Sequence, residues 1–321
     1  MKKKLLFLFM SVFAIFALAA CGSKESATKE SGKENSANAK ERVVTYEGTE
    51  TKLKGKVEKV VVTDHNVAEM LAALNIKAVG VPTYAGKVAP QLQDVMGDAT
   101  SIGEKGQPNL EAILKLKPDV IFVGDHTDDA SMAKLKDIAP TIKIIDKEEK
   151  WRDNLTFIGD VAGKEKEAKK FIEDFDQRLA KAKTDLKDAK VTEQTVMAVR
   201  VRGGKSIMVY GPKSYLNMVL YHELGLKMPK EMETVKGQEK ISIEKLSEIN
   251  PDHLFVQFAE VENSDNPKIL DELQKNPIWS KMKASQNKQV YVNVVEPLVN
   301  GKTGLTEDLF LDAATKKLLK K

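Results

Sequence analysis

Short apolar runs alternate with segments of helical spacing along most of the chain. Val60-Val61-Val62, Ala78 to Val81, Val120 to Val123 and Ile142 to Ile145 read as buried strands. Between them, Val67 to Leu74 and Leu110 to Leu116 place apolar residues three and four apart, the spacing of a helix face. Such alternation predicts an α/β fold with a parallel sheet covered by helices on both sides. The second half repeats the pattern less cleanly, with strands at Val196 to Val201, Ile207 to Tyr210, Leu254 to Phe258 and Val290 to Val294. Between the halves, Ala168, Phe171, Ile172, Phe175, Leu179, Ala182 and Leu186 recur at helical spacing, with Lys, Glu and Asp on the other face. This predicts one helix from about Glu165 to Asp188, roughly 36 Å long at 1.5 Å per residue. A helix of that length can cross between two lobes as a stiff strut, which limits hinge motion.

The two halves share a repeat. Asn109-Leu-Glu-Ala-Ile-Leu-Lys-Leu-Lys-Pro-Asp-Val-Ile-Phe-Val123 aligns with Ser242-Ile-Glu-Lys-Leu-Ser-Glu-Ile-Asn-Pro-Asp-His-Leu-Phe-Val256. Each opens with a polar cap residue and stops at Pro118 or Pro251 before a buried strand. Glu111 and Glu244 hold the same place in the first turn, where a carboxylate complements the helix dipole. Their occurrence in both halves also fits a paired external role.

The N-terminus sets the compartment. Lys2, Lys3 and Lys4 precede the apolar run Leu5 to Leu18, which is too short to span a bilayer stably. The run ends in Leu18-Ala19-Ala20-Cys21-Gly22, a bacterial lipobox, and Cys21 is the one cysteine of the chain. Residues 1–20 are therefore expected to be a lipoprotein signal peptide, with Cys21 the lipid anchor that holds the protein on the extracytoplasmic face of the cell membrane. Residues 21–42 are polar and low in apolar content, the composition of a disordered tether. The rest divides into an N-terminal lobe over 43–162, a bridging helix over 163–189 and a C-terminal lobe over 190–321. Net charge is +4, and loss of the three signal lysines leaves about +1. So balanced a chain excludes nucleic acid as a partner, and positive charge can act only through local clustering.

Catalytic motifs fail on inspection. Gly80 to Lys87 resembles a phosphate loop, but the glycine spacing is one too long and Val88 replaces the required hydroxyl. Gly204-Lys205-Ser206 has Val199 where the first glycine should stand, and no Gly-x-Ser-x-Gly is present. His65, His126, His222 and His253 are the four histidines, and none joins a His or Cys cluster in sequence. No resident metal and no enzyme activity are expected. The informative feature is cations beside glycines and strand ends. Lys87 follows Tyr84-Ala85-Gly86, and Lys105 lies in Gly103-Glu104-Lys105-Gly106-Gln107-Pro108 before a helix. Arg200 and Arg202 are two apart on one strand and so share a face, and Lys236-Gly237-Gln238 reads as another loop before a helix. Ligands of open α/β sheets bind beyond the carboxyl ends of the strands. Lys87, Lys105, Arg200, Arg202, Lys236 and Gln238 are thus expected to line a cleft for an anionic ligand. Lysines are surface residues by default, whereas arginines interrupting an apolar strand require an anionic partner.

The lipobox, the two αβ halves, the single bridging helix and the repeated Glu…Pro-Asp segments resemble the iron-siderophore and cobalamin binding proteins of ABC importers. Gly103-Glu-Lys-Gly-Gln-Pro-Asn109, Val199-Arg-Val-Arg202, Phe255-Val-Gln-Phe258, Asn276-Pro-Ile-Trp279 and Val290-Tyr-Val-Asn293 are most similar to the ferric catecholate binding lipoproteins of Gram-positive bacteria. The resemblance covers essentially the whole mature chain. It implies the class III periplasmic-binding-protein fold: two Rossmann-like lobes joined by one long interdomain helix. It implies a basic triad of Lys87, Lys105 and Arg202 gripping a ferric tris-catecholate, with Arg200, Lys236 and Gln238 around it. It further implies that Glu111 and Glu244 dock onto arginines of an ABC permease. Iron would enter only inside the siderophore, whose own oxygens satisfy the metal, with no further cofactor, and the chain would act as a monomer. The siderophore remains open between bacillibactin, enterobactin, petrobactin and a simpler catecholate, with a hydroxamate, haem or cobalamin ligand as the alternative.

Overall fold

The computed structural model describes residues 41–203, 206–299 and 301–320. The expected signal peptide, the expected tether up to residue 40 with Cys21, and Lys205 lie outside the described residues. The described residues open with a hairpin, β1 (Arg42–Tyr46) and β2 (Thr49–Leu53), paired antiparallel. Arg42, assigned by its polar surroundings to the tether, belongs to this hairpin. Its guanidinium donates to the carbonyls of Asp160 (2.8 Å) and Val161 (2.6 Å), which ties the first strand to the end of helix Trp151–Ala162.

The first lobe is built on β3 (Val60–Val62), β4 (Ala78–Thr83), β5 (Thr100–Glu104), β6 (Val120–Gly124) and β7 (Thr141–Ile144). They form one parallel sheet in the order β5-β4-β3-β6-β7. The second lobe uses β8 (Val196–Arg202), β9 (Ser206–Tyr210), β10 (Gln238–Ile241), β11 (His253–Phe258) and β12 (Val290–Val292). Their order, β10-β9-β8-β11-β12, copies the first lobe, but β9 runs antiparallel to both neighbours. Three residues separate β8 from β9, too few for a crossover helix, so a hairpin is the only connection available. The segment Lys236-Gly237-Gln238 corrects a second expectation. Gln238 opens β10, opposite Tyr210, and the helix follows only after Ser242. An edge strand with exposed Gln238, Glu239 and Lys240 carries almost no apolar signal.

The sequence repeat is a structural repeat. Helices Leu110–Leu116 and Ile243–Ile249 are capped by Asn109 and Ser242 and end in left-handed Lys117 (φ 49°) and Asn250 (φ 48°). Behind each proline an aspartate fixes the next strand. Asp119 Oδ2 accepts from the amides of Glu58 (2.8 Å) and Lys59 (2.7 Å), and Asp252 Oδ2 accepts from the amide and hydroxyl of Thr195 (both 2.8 Å).

Strand alternation divides the core. Val61, Ile121 and Val123 face one side of the first sheet with Ile102, Ile113 and Leu135. Met197, Val199, Val201, Leu254 and Val256 face the outer side of the second with Leu246 and Trp279. The opposite faces, Val60, Val62, Val120 and Phe122 in the first lobe and Val196, Ala198 and Phe255 in the second, belong to one continuous cluster. The long helix Glu165–Asp188, at its expected bounds, buries Phe175, Leu179, Ala182 and Leu186 in that cluster. Helix Gly304–Leu318, expected within the second lobe, packs against helix His65–Ala73 of the first. Glu69, fully buried, receives hydroxyl hydrogen bonds from Thr303 and Thr306 (both 2.7 Å) on one oxygen and Gln91 Nε2 (2.8 Å) on the other. Arg152 of the first lobe pairs with Glu223 of the second (2.7 Å) and with Asp176 of the long helix (2.7 Å).

Candidate functional site

Two of the six expected cleft residues share one turn assembly at the carboxyl end of the first sheet. Tyr84 and Lys87 exchange both backbone hydrogen bonds (2.8 and 3.0 Å), and Ala85 (φ 47°) and Gly86 (φ 74°) between them are left-handed. Two positive φ values define a type I′ turn, and it presents Lys87 to solvent. Glu104 braces this turn: its Oε1 accepts from the Gly86 amide (2.8 Å) and the Thr83 hydroxyl (3.0 Å). These bonds, the Gly86 amide first, hold its carboxyl below the usual carboxylate range. The next residue, Lys105, donates its amide to the Thr83 carbonyl (3.1 Å) and places its ammonium 5.4 Å from the Tyr84 ring centre. Gly103 makes the sharp approach possible; at φ 109°, a Cβ there would meet the Gln107 carbonyl at 2.3 Å. Lys105 also lines a cavity beyond β3 and β6 with Thr63, Asp64, His126 and Asp128.

The second lobe assembles Arg202 with Gln238. Arg202 is half-buried, and its Nη2 donates to Gln238 Oε1 (3.2 Å). Lys236, two residues before Gln238, is exposed. Among the described residues, the ammonium groups of Lys87, Lys105 and Lys236 have no carboxylate partner, although the Lys236 backbone amide donates to Glu239 Oε1 (3.4 Å). Arg200 departs from expectation. It is 3% exposed, its Nε pairs with Glu262 Oε2 (2.8 Å), its Nη1 donates to the Val299 carbonyl (3.3 Å), and it lies 5.6 Å from the Tyr215 ring centre. The burial that would depress an unpaired cation is met by Glu262, so Arg200 is committed to the protein and is not a free cation of a cleft. Glu262 also reaches Arg202 (3.8 Å) and tempers the positive charge there. Sequence reasoning missed Glu262; it sits in the short helical turn Glu260–Asn263, where its spacing from Arg200 carries no signal.

Glu111 and Glu244 are exposed, each in the first turn of its seven-residue helix. The Ser242 hydroxyl lowers the Glu244 pKa, while the side chain stays open to solvent. His126 lies with Asp125 and Asp146, their potential ligand atoms within 4.8 Å of one another. Asp146 is buried, receives a hydrogen bond from Asn66, and its pKa is pushed up to about 6, first by burial and then by Asp125.

A profile of the periplasmic binding protein family matches residues 60–293, nearly all of both sheets. The chain belongs to this family. Family members are solute-binding proteins, and it is not an enzyme family. Two Rossmann-like lobes joined by one long helix constitute its class III fold. The iron-uptake system-binding protein of Bacillus subtilis is 38% identical over 320 residues, 99% of each chain. A probable siderophore-binding lipoprotein of the same organism, YfiY, is 32% identical over 295 residues, 88% of each chain. The crystal structure of the triscatecholate siderophore binding protein FeuA of B. subtilis, complexed with ferri-bacillibactin, superposes with a TM-score of 0.78 at 37% identity, covering 87% of this chain and 99% of that one. Among the described residues, no helix is long and apolar enough to cross a membrane.

Proposed function

We propose that the protein captures a ferric catecholate siderophore outside the cell membrane and delivers it to an ABC importer, with no chemical step of its own. The observation that carries this reading is the match over almost the whole chain to an iron-uptake binding protein and to a structure holding ferri-bacillibactin, together with unpaired lysines at the carboxyl end of the first sheet. A ferric tris-catecholate carries about three negative charges, which Lys87, Lys105 and Arg202 neutralise through charge-assisted hydrogen bonds and contacts to the catechol rings. Lys236 and Gln238 extend the grip. Arg200 acts behind them, holding Glu262 and the Val299 carbonyl. The catechol oxygens complete the iron coordination, so iron travels as cargo and the protein supplies no metal ligand. Glu111 and Glu244 form the paired docking points for the permease. Cys21 carries the lipid that keeps the monomer at the membrane.

Titration of the mature protein with ferric bacillibactin, ferric enterobactin and ferrichrome tests this reading. The catecholates should bind at least about 100-fold tighter than the near-neutral hydroxamate, a difference of roughly 2.7 kcal/mol. Equal affinities would remove the catecholate assignment.

A further inference from the structure

The Tyr84 ring connects two groups that the proposed grip leaves unexplained. Its ring stacks on His65 with centres 4.1 Å apart and planes 22° apart. The Lys105 ammonium lies over the same ring, 5.4 Å from its centre. His65 is 2% exposed, and neither ring nitrogen has a hydrogen-bond partner among the described residues. Buried polar atoms without partners are costly, so the imidazole is retained in an unfavourable setting. It is held neutral: burial first, and the Lys105 ammonium second, lower its pKa to about 4.

We propose that Tyr84, backed by the stacked His65 ring, is a positioning residue that parks the Lys105 ammonium where an anionic aromatic ligand collects it. This rests on the catecholate reading above. A lysine has a flexible four-carbon stem, and its freedom is lost on binding. A ring face that attracts the ammonium in the free protein removes part of that loss beforehand. The ring is itself fixed, because Tyr84 closes the type I′ turn with Lys87 and Glu104 braces the turn from the strand that leads to Lys105. The backbones of Tyr84, Lys87 and Lys105 are therefore tied into one turn assembly before the ligand arrives. Of the charged groups near His65, Glu104 opposes and Lys105 reinforces its neutrality.

A double-mutant cycle read by ferric bacillibactin titration tests this role. Tyr84→Phe keeps the ring and should bind within about twofold of wild type, whereas Tyr84→Leu should weaken binding about fivefold, the scale of an exposed cation–π contact. Lys105→Gln should cost more than tenfold, the scale of a hydrogen bond to a charged group. The combined Tyr84→Leu, Lys105→Gln variant should bind no more weakly than Lys105→Gln alone. Independent, multiplying losses would overturn the positioning role while leaving catecholate capture intact. A wild type that does not bind ferric bacillibactin would overturn both. In the ligand-free protein, NMR should show the Lys105 ε-methylene protons shifted upfield by the ring, and Tyr84→Leu should abolish the shift. Unshifted protons in the folded wild type would overturn the parking contact without reference to any ligand.

Discussion

Arg200 and Arg202 stand two residues apart on β8, yet burial gives them different work. Arg200 is 3% exposed and bonded to Glu262 and the Val299 carbonyl, whereas Arg202 is half-buried and keeps donors available beside Gln238. Removing one partner of a buried ion pair leaves the other charge uncompensated. Arg200→Ala should therefore destabilise the fold by about 3 kcal/mol or more in denaturant unfolding. Arg202→Ala should leave stability within about 0.5 kcal/mol of wild type and weaken ferric catecholate binding by roughly 1.5–3 kcal/mol. Normal stability in the first variant, or full affinity in the second, would show that the two roles are misassigned. The shared face of the arginines was legible from their spacing, and so was their need for an anion. The identity of that anion was not, because Glu262 lies about sixty residues away and only the fold brings it near.

At the scale of elements, those with strong apolar periodicity were the readable ones. Helix Leu110–Leu116 and helix Glu165–Asp188 occupy their expected residues, and the inner strands of both sheets lie where apolar runs placed them. The edge strands β5 and β10 escaped notice because each pairs on one side only and is largely polar. Helix Gly304–Leu318 is obscured differently: its buried face carries Thr306 and Glu307 among the leucines, which breaks the apolar stripe. The paired helices behind Asn109 and Ser242 were visible as a repeat, and they present Glu111 and Glu244 in equivalent exposed positions. A Glu111→Ala, Glu244→Ala variant should bind ligand normally and fail to support siderophore-dependent growth. Loss of binding by that variant would make these glutamates structural instead.

For the whole molecule, the two lobes share a single hydrophobic cluster threaded by the long helix. They are further tied by Arg152 to Glu223 and by Glu69 to the threonines that open helix Gly304–Leu318. A molecule fastened this way is expected to recognise its ligand with residues already in place rather than by wide closure. On this account the Lys87–Lys105 group of one lobe and the Arg202–Gln238 group of the other meet a single multiply anionic guest. The most direct measurement is calorimetric titration of ferric bacillibactin into a Lys87→Gln, Lys105→Gln, Arg202→Gln variant whose unfolding midpoint matches wild type. The account predicts a loss of at least about 1,000-fold in affinity, roughly 4 kcal/mol. An affinity within a few-fold of wild type would contradict it.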